Sequence, residues 1–358
     1  MMRGRFSRLS LLVAAGEGGA GPCGARGRAM TAPGSGGWGL PRSGGDWMYE
    51  TYFGFHEKPF SLIPDPDFLY LSEGHRAALS LLEYGISEQT GFVVISGEVG
   101  SGKTTLVRRL LASVSDDIVV GLITNTHPSF GELLQWICLA FDLEHREKGK
   151  VELYQGFLDF LIEQYAASRR TVLLIDEAQN LSPEALEELR MLSNINADKD
   201  YLIQLILLGQ PELLAKLRRP DLRQFVQRIG VDYHLGPLTL ADTLAYIRHR
   251  LIVAGGAPEL FDDPACAAVY HYSGGVPRIA NVLCDLALVF AYAEDRPQID
   301  IDIVMEVAAT RRKSGLAIFR TDPDSQSREE IKRTILRPLT TPWPQDPRQT
   351  PLHHTSRS

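Results

Sequence analysis

Nine consecutive residues hold the densest chemistry in the sequence: Gly97, Glu98, Val99, Gly100, Ser101, Gly102, Lys103, Thr104 and Thr105. They complete the spacing G-x-x-x-x-G-K-[ST], after the apolar run Phe92-Val93-Val94-Ile95 and before the helix-compatible stretch Leu106 to Leu111. Glycines at 97, 100 and 102 let the backbone turn tightly and aim N–H groups inward, while the positive end of the following helix strengthens the field on an anion. Lys103 is then placed to reach the β- and γ-phosphates of a nucleotide such as ATP, and the Thr104 hydroxyl to coordinate Mg2+. The alternative, a glycine-rich strand-to-helix turn without a ligand, fits the full motif and its flanks poorly.

Two carboxylates follow at the end of another apolar run. Thr171-Val172-Leu173-Leu174-Ile175 leads directly into Asp176-Glu177. An acidic residue at such a strand end can hold Mg2+ through water, which suits Asp176. Its neighbour Glu177 can orient and polarise a water for in-line attack on a γ-phosphate, a task that a small-molecule kinase does not require. The other reading is a strand entering a solvated turn.

Further polar groups complete the constellation. Gln210, after the apolar stretch Tyr201 to Leu208, can touch a γ-phosphate from the adjacent strand end or serve only as a turn residue before Pro211. Arg218, Arg219, Arg223 and Arg228 precede a fifth strand, Val231 to Leu235. An arginine fork presented to a neighbouring subunit's γ-phosphate stabilises transition-state charge, and Arg228 is the first choice for that finger, Arg223 the second. The competing role for these arginines is solvation or pairing with nearby carboxylates. Gly274-Gly275-Val276-Pro277-Arg278 opens a helix with proline in its first turn and places Arg278 near the helix start, either to face the nucleotide across the cleft or as a solvated arginine at a capped start.

The elements that must position these groups alternate. Strand candidates at 92–95, 118–123, 171–175, 201–208 and 231–235 are separated by helical spacings, the pattern of an α/β protein built on a five-stranded, mainly parallel sheet. A helix capped by Ser72 has apolar positions Ala78, Leu79, Leu82 and Ile86, which either cover the sheet or line a base pocket. Pro128 to Ala140 and Glu152 to Ala166 read as helices, and Ser182-Pro183 starts another with Leu186, Leu189 and Leu192 inward. From Leu238 the pattern is wholly helical, with segments at Asp242 to Ile252, from Asp263-Pro264, from Pro277, and at Asp302 to Thr310. These form a C-terminal helical lid.

The organisation expected is therefore a disordered extension over 1–47, read from a start upstream of the natural one at Met48; a nucleotide-binding domain over 48–237; the lid over 238–313; and a disordered tail over 314–358. With 37 Lys and Arg against 44 Asp and Glu, the formal charge of −7 is not that of a general nucleic-acid binder. Cys23, Cys138, Cys266 and Cys284 lack metal-ligand spacing, so they read as incidental thiols in a reducing compartment. No apolar run approaches the ~20 residues needed to cross a bilayer.

Taken together, the phosphate-binding loop, Asp176-Glu177, Gln210, the arginines before the fifth strand and Gly275-Val276-Pro277-Arg278 resemble an AAA+ ATPase over roughly 49–312. The resemblance implies that Gly97 to Thr105 act as Walker A, Leu173 to Glu177 as Walker B, Gln210 as sensor 1, Arg278 as sensor 2 and Arg228 as the arginine finger. Asn125 stands where many such proteins place a polar residue that restrains the catalytic glutamate. Lys58-Pro59-Phe60-Ser61, Pro64-Asp65-Pro66, Asp176-Glu177-Ala178-Gln179-Asn180-Leu181-Ser182-Pro183 and Leu208-Gly209-Gln210-Pro211-Glu212-Leu213 are similar to the general secretion pathway protein A (ExeA) family, and Met191-Leu192-Ser193-Asn194 to its branch associated with exosortase and exopolysaccharide loci. That implies a bacterial cytoplasmic ATPase, peripheral at the inner membrane, which uses ATP and Mg2+, oligomerises and supports assembly of a membrane-bound secretion or export system. Classical members continue through a transmembrane helix into a periplasmic peptidoglycan-binding domain, and neither segment is read here. The second reading is a DNA-bound ATP switch like the transposition regulators, with duplex DNA held on Arg218 to Arg228, Arg248 and Arg250.

Overall fold

The run Phe92-Val93-Val94-Ile95 offers no polar face to solvent, and it forms a strand buried along its whole length, β1 (Phe92–Gly97). The structure, a computed structural model, describes residues 49–113, 115, 117–124, 132–197, 200–315, 319 and 328–340. Further strands are β2 (Ile118–Ile123), β3 (Arg170–Ile175), β4 (Asn196–Ala197), β5 (Asp200–Tyr201), β6 (Gln204–Gly209) and β7 (Ile229–Leu235). Five of them make one sheet in the order β2-β3-β6-β1-β7, every neighbour parallel. The expected fourth strand is shorter than its apolar pattern, because Tyr201 pairs with Asn196 in the antiparallel β4–β5 hairpin.

Register decides where the chemistry lies. Ser96 of β1 stands opposite Gly209 of β6, and Ile175 of β3 opposite Leu207 of β6. The residues just beyond these pairs are the glycine loop, Gln210 and Asp176-Glu177. All three strand ends open on one edge, the crevice where parallel sheets bind ligands.

The short α1 (Glu50–Phe53) belongs to the lead-in, while helices cover both faces of the sheet: α2 (Glu73–Ser87), α3 (Lys103–Ser113), α4 (Leu133–Ala140), α5 (Lys150–Ala166), α6 (Pro183–Leu192), α7 (Pro211–Leu217) and α8 (Arg223–Val226). Ala78, Leu82 and Ile86 of α2 pack with Leu106 and Leu110 of α3 against Val93, Ile95, Leu174 and Leu208. Helix α2 therefore covers the sheet with these side chains. On the opposite face Ile137, Phe157, Leu189, Leu213 and Phe225 meet Phe92, Val94, Leu173 and Leu205. Each such side chain contributes about 1.5–3 kcal/mol by leaving water, so the sheet is a rigid platform.

After β7 come α9 (Leu240–Val253), α10 (Asp263–Ser273), α11 (Pro277–Ala293), α12 (Ile301–Lys313) and α13 (Arg328–Thr340). Their starts are capped as the residues dictate: Thr239 accepts from Asp242 N, Asp262 from Ala265 N and Asp300 from Ile303 N. Helix α10 stops at Gly274, whose φ of 59° is left-handed. Two placements bear on the expected domain limits. The lead-in residues Tyr49, Phe55 and Phe60, assigned by sequence to the nucleotide-binding domain, are buried in the core of these last helices. The expected tail contains α13, whose buried Ile331 and Ile335, one turn apart, dock in the same core. The 1–47 extension, Asn125, Cys23 and the remainder of the tail beyond 315 lie outside the described residues, apart from 319. Cys138, Cys266 and Cys284 are buried thiols, and no helix among the described residues is long and apolar enough to cross a membrane.

Candidate active site

The loop from Gly97 to Gly102 closes tightly between β1 and α3. Gly100 and Gly102 have φ of 78° and 99°, and a Cβ on them would lie 2.3 Å from Arg278 Cβ and 2.8 Å from His75 Nε2. Only glycine meets both demands. Lys103, 7% exposed, donates from Nζ to the carbonyls of Gly97 (2.6 Å) and Glu98 (2.9 Å). Burial pushes its ammonium below the ordinary lysine range, against the opposing pull of the Asp176 and Glu177 carboxylates.

Beneath the loop the Thr104 hydroxyl donates to Asp176 Oδ2 at 2.8 Å, and Asp176 Oδ1 accepts the Glu177 N–H at 2.9 Å. Burial raises the Asp176 carboxyl; these two hydrogen bonds pull the other way. Thr104 and Asp176 thus bring two hard oxygen donors into contact, which fits a magnesium ion sharing both directly or through water. Glu177 adopts φ 54°, in the left-handed region. One of its oxygens, Oε2, accepts from Gln179 Nε2 (2.5 Å) and from Gln210 Nε2 (3.1 Å). Gln210, read from the sequence as able to touch a γ-phosphate, is here hydrogen-bonded to the Glu177 carboxylate.

A cleft of about 190 Å³ opens over the loop, lined by Val99, Gly100, Gly102, Lys103, Thr104, Thr105, Glu177 and Arg278. Asp176 is buried below it. Arg278 has an exposed side chain, and its backbone N–H donates to Gly100 O at 3.3 Å, fastening the start of α11 to the loop. The far wall was not legible from the motifs: Ser61 to Asp65, Phe68 and Tyr70 from the lead-in, with Tyr246, Arg250 and Asn281 from α9 and α11. His75, on α2, supports the loop from beneath. Its Nε2 must donate to Ser101 O (3.0 Å), a carbonyl that can only accept, and its Nδ1 meets Ser72 Oγ at 2.7 Å. Burial lowers its pKa.

The arginines behave differently from one another. Arg228 is half-buried and donates to Ser193 Oγ (3.0 Å) at the end of α6, whereas Arg223 on α8 is exposed. Arg219 pairs with Asp221 and Arg248 with Asp263. Arg250 is no part of a basic face: it is 6% exposed, donates to Pro59 O (2.5 Å), Tyr246 Oη (3.0 Å) and Ser61 O (3.3 Å), and lies 4.7 Å from the Phe68 ring centroid.

Comparison with known proteins places the fold. Residues 86–217 match a family model described as an AAA domain. General secretion pathway protein A of Aeromonas hydrophila is 44% identical over 247 residues, covering 69% of this chain and 45% of that protein, so the chain matches less than half of its relative. The Aeropyrum pernix ORC2 protein in its ADPNP-ADP complexes aligns with a TM-score of 0.55 at 19% identity, covering 71% of this chain and 72% of the other. Cdc6p from Pyrobaculum aerophilum gives 0.55 at 16% identity, covering 74% and 72%. The fold is that of an AAA+ P-loop ATPase: a five-stranded parallel sheet with a C-terminal helical lid.

Proposed function

We propose that the chain is an ATP hydrolase that oligomerises and drives or regulates assembly of a bacterial envelope secretion or exopolysaccharide export system. The observation that carries the catalytic part is the Thr104–Asp176 contact under the glycine loop, with Glu177 beside it on the cleft wall. The loop N–H groups and Lys103 bind the triphosphate, Lys103 leaving its own loop carbonyls to do so. Thr104 and Asp176 hold Mg2+, which when bound neutralises phosphate charge and orients the chain of phosphates. Glu177 aligns a water; its oxygen bonds to the γ-phosphorus as the bond to the β–γ bridging oxygen breaks, and Glu177 takes the proton. Arg278 reaches the phosphates from the lid, and Arg223 or Arg228 completes a neighbour's site. Domain limits of 48–237 and 238–313 belong to the same reading, the lead-in packing with the lid.

The secretion role rests on the likeness to general secretion pathway protein A, and the exopolysaccharide branch on Met191-Leu192-Ser193-Asn194 alone. The reading places the protein in the cytoplasm, peripheral at the inner membrane, with a membrane-bound export component as partner. Lys103→Ala is expected to abolish ATP binding, while Glu177→Gln binds ATP and hydrolyses it very slowly. Full phosphate release by Glu177→Gln would remove the catalytic assignment. Pairing of Arg219 and Arg248 and burial of Arg250 weigh against the DNA-switch reading. ATP-dependent gel shifts with a steep salt dependence would restore it.

A further inference from the structure

Gln179 lies in the 3-10 turn Ala178–Asn180, directly after the strand-end carboxylates. Its Oε1 accepts the Gln210 backbone N–H at 3.0 Å, and its Nε2 donates to Glu177 Oε2 at 2.5 Å. A backbone N–H can only donate, so the amide orientation is fixed by chemistry: oxygen toward Gln210, nitrogen toward Glu177. The turn itself is clamped, since Lys216 on α7 donates from Nζ to Gln179 O (2.5 Å) and to Leu181 O. The room for this amide comes from Gly209, where a Cβ would lie 3.2 Å from Gln179 Oε1 and 2.7 Å from Leu213 Cδ2. Glu177, meanwhile, holds a left-handed backbone that its surroundings must maintain.

We propose that Gln179 is a positioning residue for hydrolysis, joining the end of β6 to the acid at the end of β3. Through one amide the carboxylate of Glu177 is tied to the backbone of Gln210, whose own side chain reaches the same oxygen. When the Gln210 side chain turns to a γ-phosphate, Glu177 loses that donor on Oε2 and Gln179 keeps the carboxylate aimed. The strand end that meets the nucleotide and the acid that aligns water then move as one piece. This inference rests on the proposed ATP hydrolysis and adds a residue to it.

The test is a kinetic cycle on the full chain with ATP and Mg2+, measuring phosphate release and, separately, nucleotide retention. Gln179→Leu removes both hydrogen bonds, and Gln179→Glu keeps the size of the side chain while replacing the donor by a like charge. Each is expected to lower kcat by about 10- to 100-fold, the scale of a small misplacement at a reacting centre, with KM and ATP retention unchanged. Because Gln179 acts through Glu177, adding Gln179→Leu or Gln179→Glu to Glu177→Gln is expected to lower the rate no further. Wild-type kcat in either foldable Gln179 variant, or losses that multiply in the double variant, would overturn the proposal. If Gln179→Leu fails to fold, the near-isosteric Gln179→Glu decides. Full turnover by Glu177→Gln would instead sink the hydrolysis reading itself.

Discussion

Replacing Arg250 by methionine keeps most of the buried stem and deletes the guanidinium, so the structure allows its cost to be worked out. Pro59 O loses its 2.5 Å donor inside a buried segment, about 1–3 kcal/mol for an orphaned acceptor. Ser61 O still accepts from Asn281 Nδ2 at 3.4 Å, and Tyr246 Oη still donates to Asn281 Oδ1 at 2.6 Å, so those two groups lose little. The cation over Phe68 forfeits about 1–2 kcal/mol. Against this, the variant no longer desolvates a charge, which returns part of the loss. The net expectation is roughly 2–4 kcal/mol, read from the urea midpoint at constant m-value. Because residues 61–65 form one wall of the cleft, KM for ATP should rise as well. Arg250→Lys keeps the charge but not the fork, and should fall between wild type and Arg250→Met. A methionine variant within about 0.5 kcal/mol of wild type, with KM unchanged, would refute the idea that lid helix α9 anchors the lead-in.

Gly102→Ala forces a side chain into a left-handed backbone and onto His75, so nucleotide affinity measured by calorimetry should fall by roughly 5- to 30-fold, the equivalent of ~1–2 kcal/mol of strain in the loop that must hold the phosphates. His75, His249 and His271 are all held below the ordinary histidine range by burial. The unfolded chain then takes up more protons, so the histidine contribution to stability is present above about pH 6.5 and diminishes as pH falls below it. His75→Gln should make the melting temperature less sensitive to pH between about 7.5 and 5.5. Ile335→Ala, in the lid core, should cost about 2–4 kcal/mol by denaturant unfolding; no change would mean that α13 does not dock in solution.

The glycine loop and the Asp176-Glu177 pair were legible because their chemistry is contiguous: nine residues in one place, two in the other, each at the end of an apolar strand. The parallel sheet followed from apolar runs too continuous to face water. The cleft's second wall was not legible, because it is assembled across the chain, as in the Arg250–Pro59 bond between residues 191 positions apart. Arginine in a helix reads as surface charge; nothing in the sequence announces that two carbonyls and an aromatic ring will enclose Arg250. Helix α13 escaped because its apolar stripe, Ile331 and Ile335, is thin among charges and follows a segment without periodicity. Gln179 was visible only as a letter in a motif, since its role depends on a backbone N–H from another strand.

The path of the chain at the lead-in carries a mechanical consequence. Phe68 still packs with the lid helices while Leu69 and Leu71 pack on the sheet, and the return passage runs between Leu235 and Leu238. The polypeptide therefore passes between the two masses twice, at neighbouring points, since Gly74 near the first passage lies against Leu235. Two adjacent pins constrain a body as they do a door, permitting swing about one axis and resisting twist or slide. A swing that opens the cleft would lengthen the 3.3 Å bond from the Arg278 N–H to Gly100 O, which ties the phosphate cradle to the angle of the door.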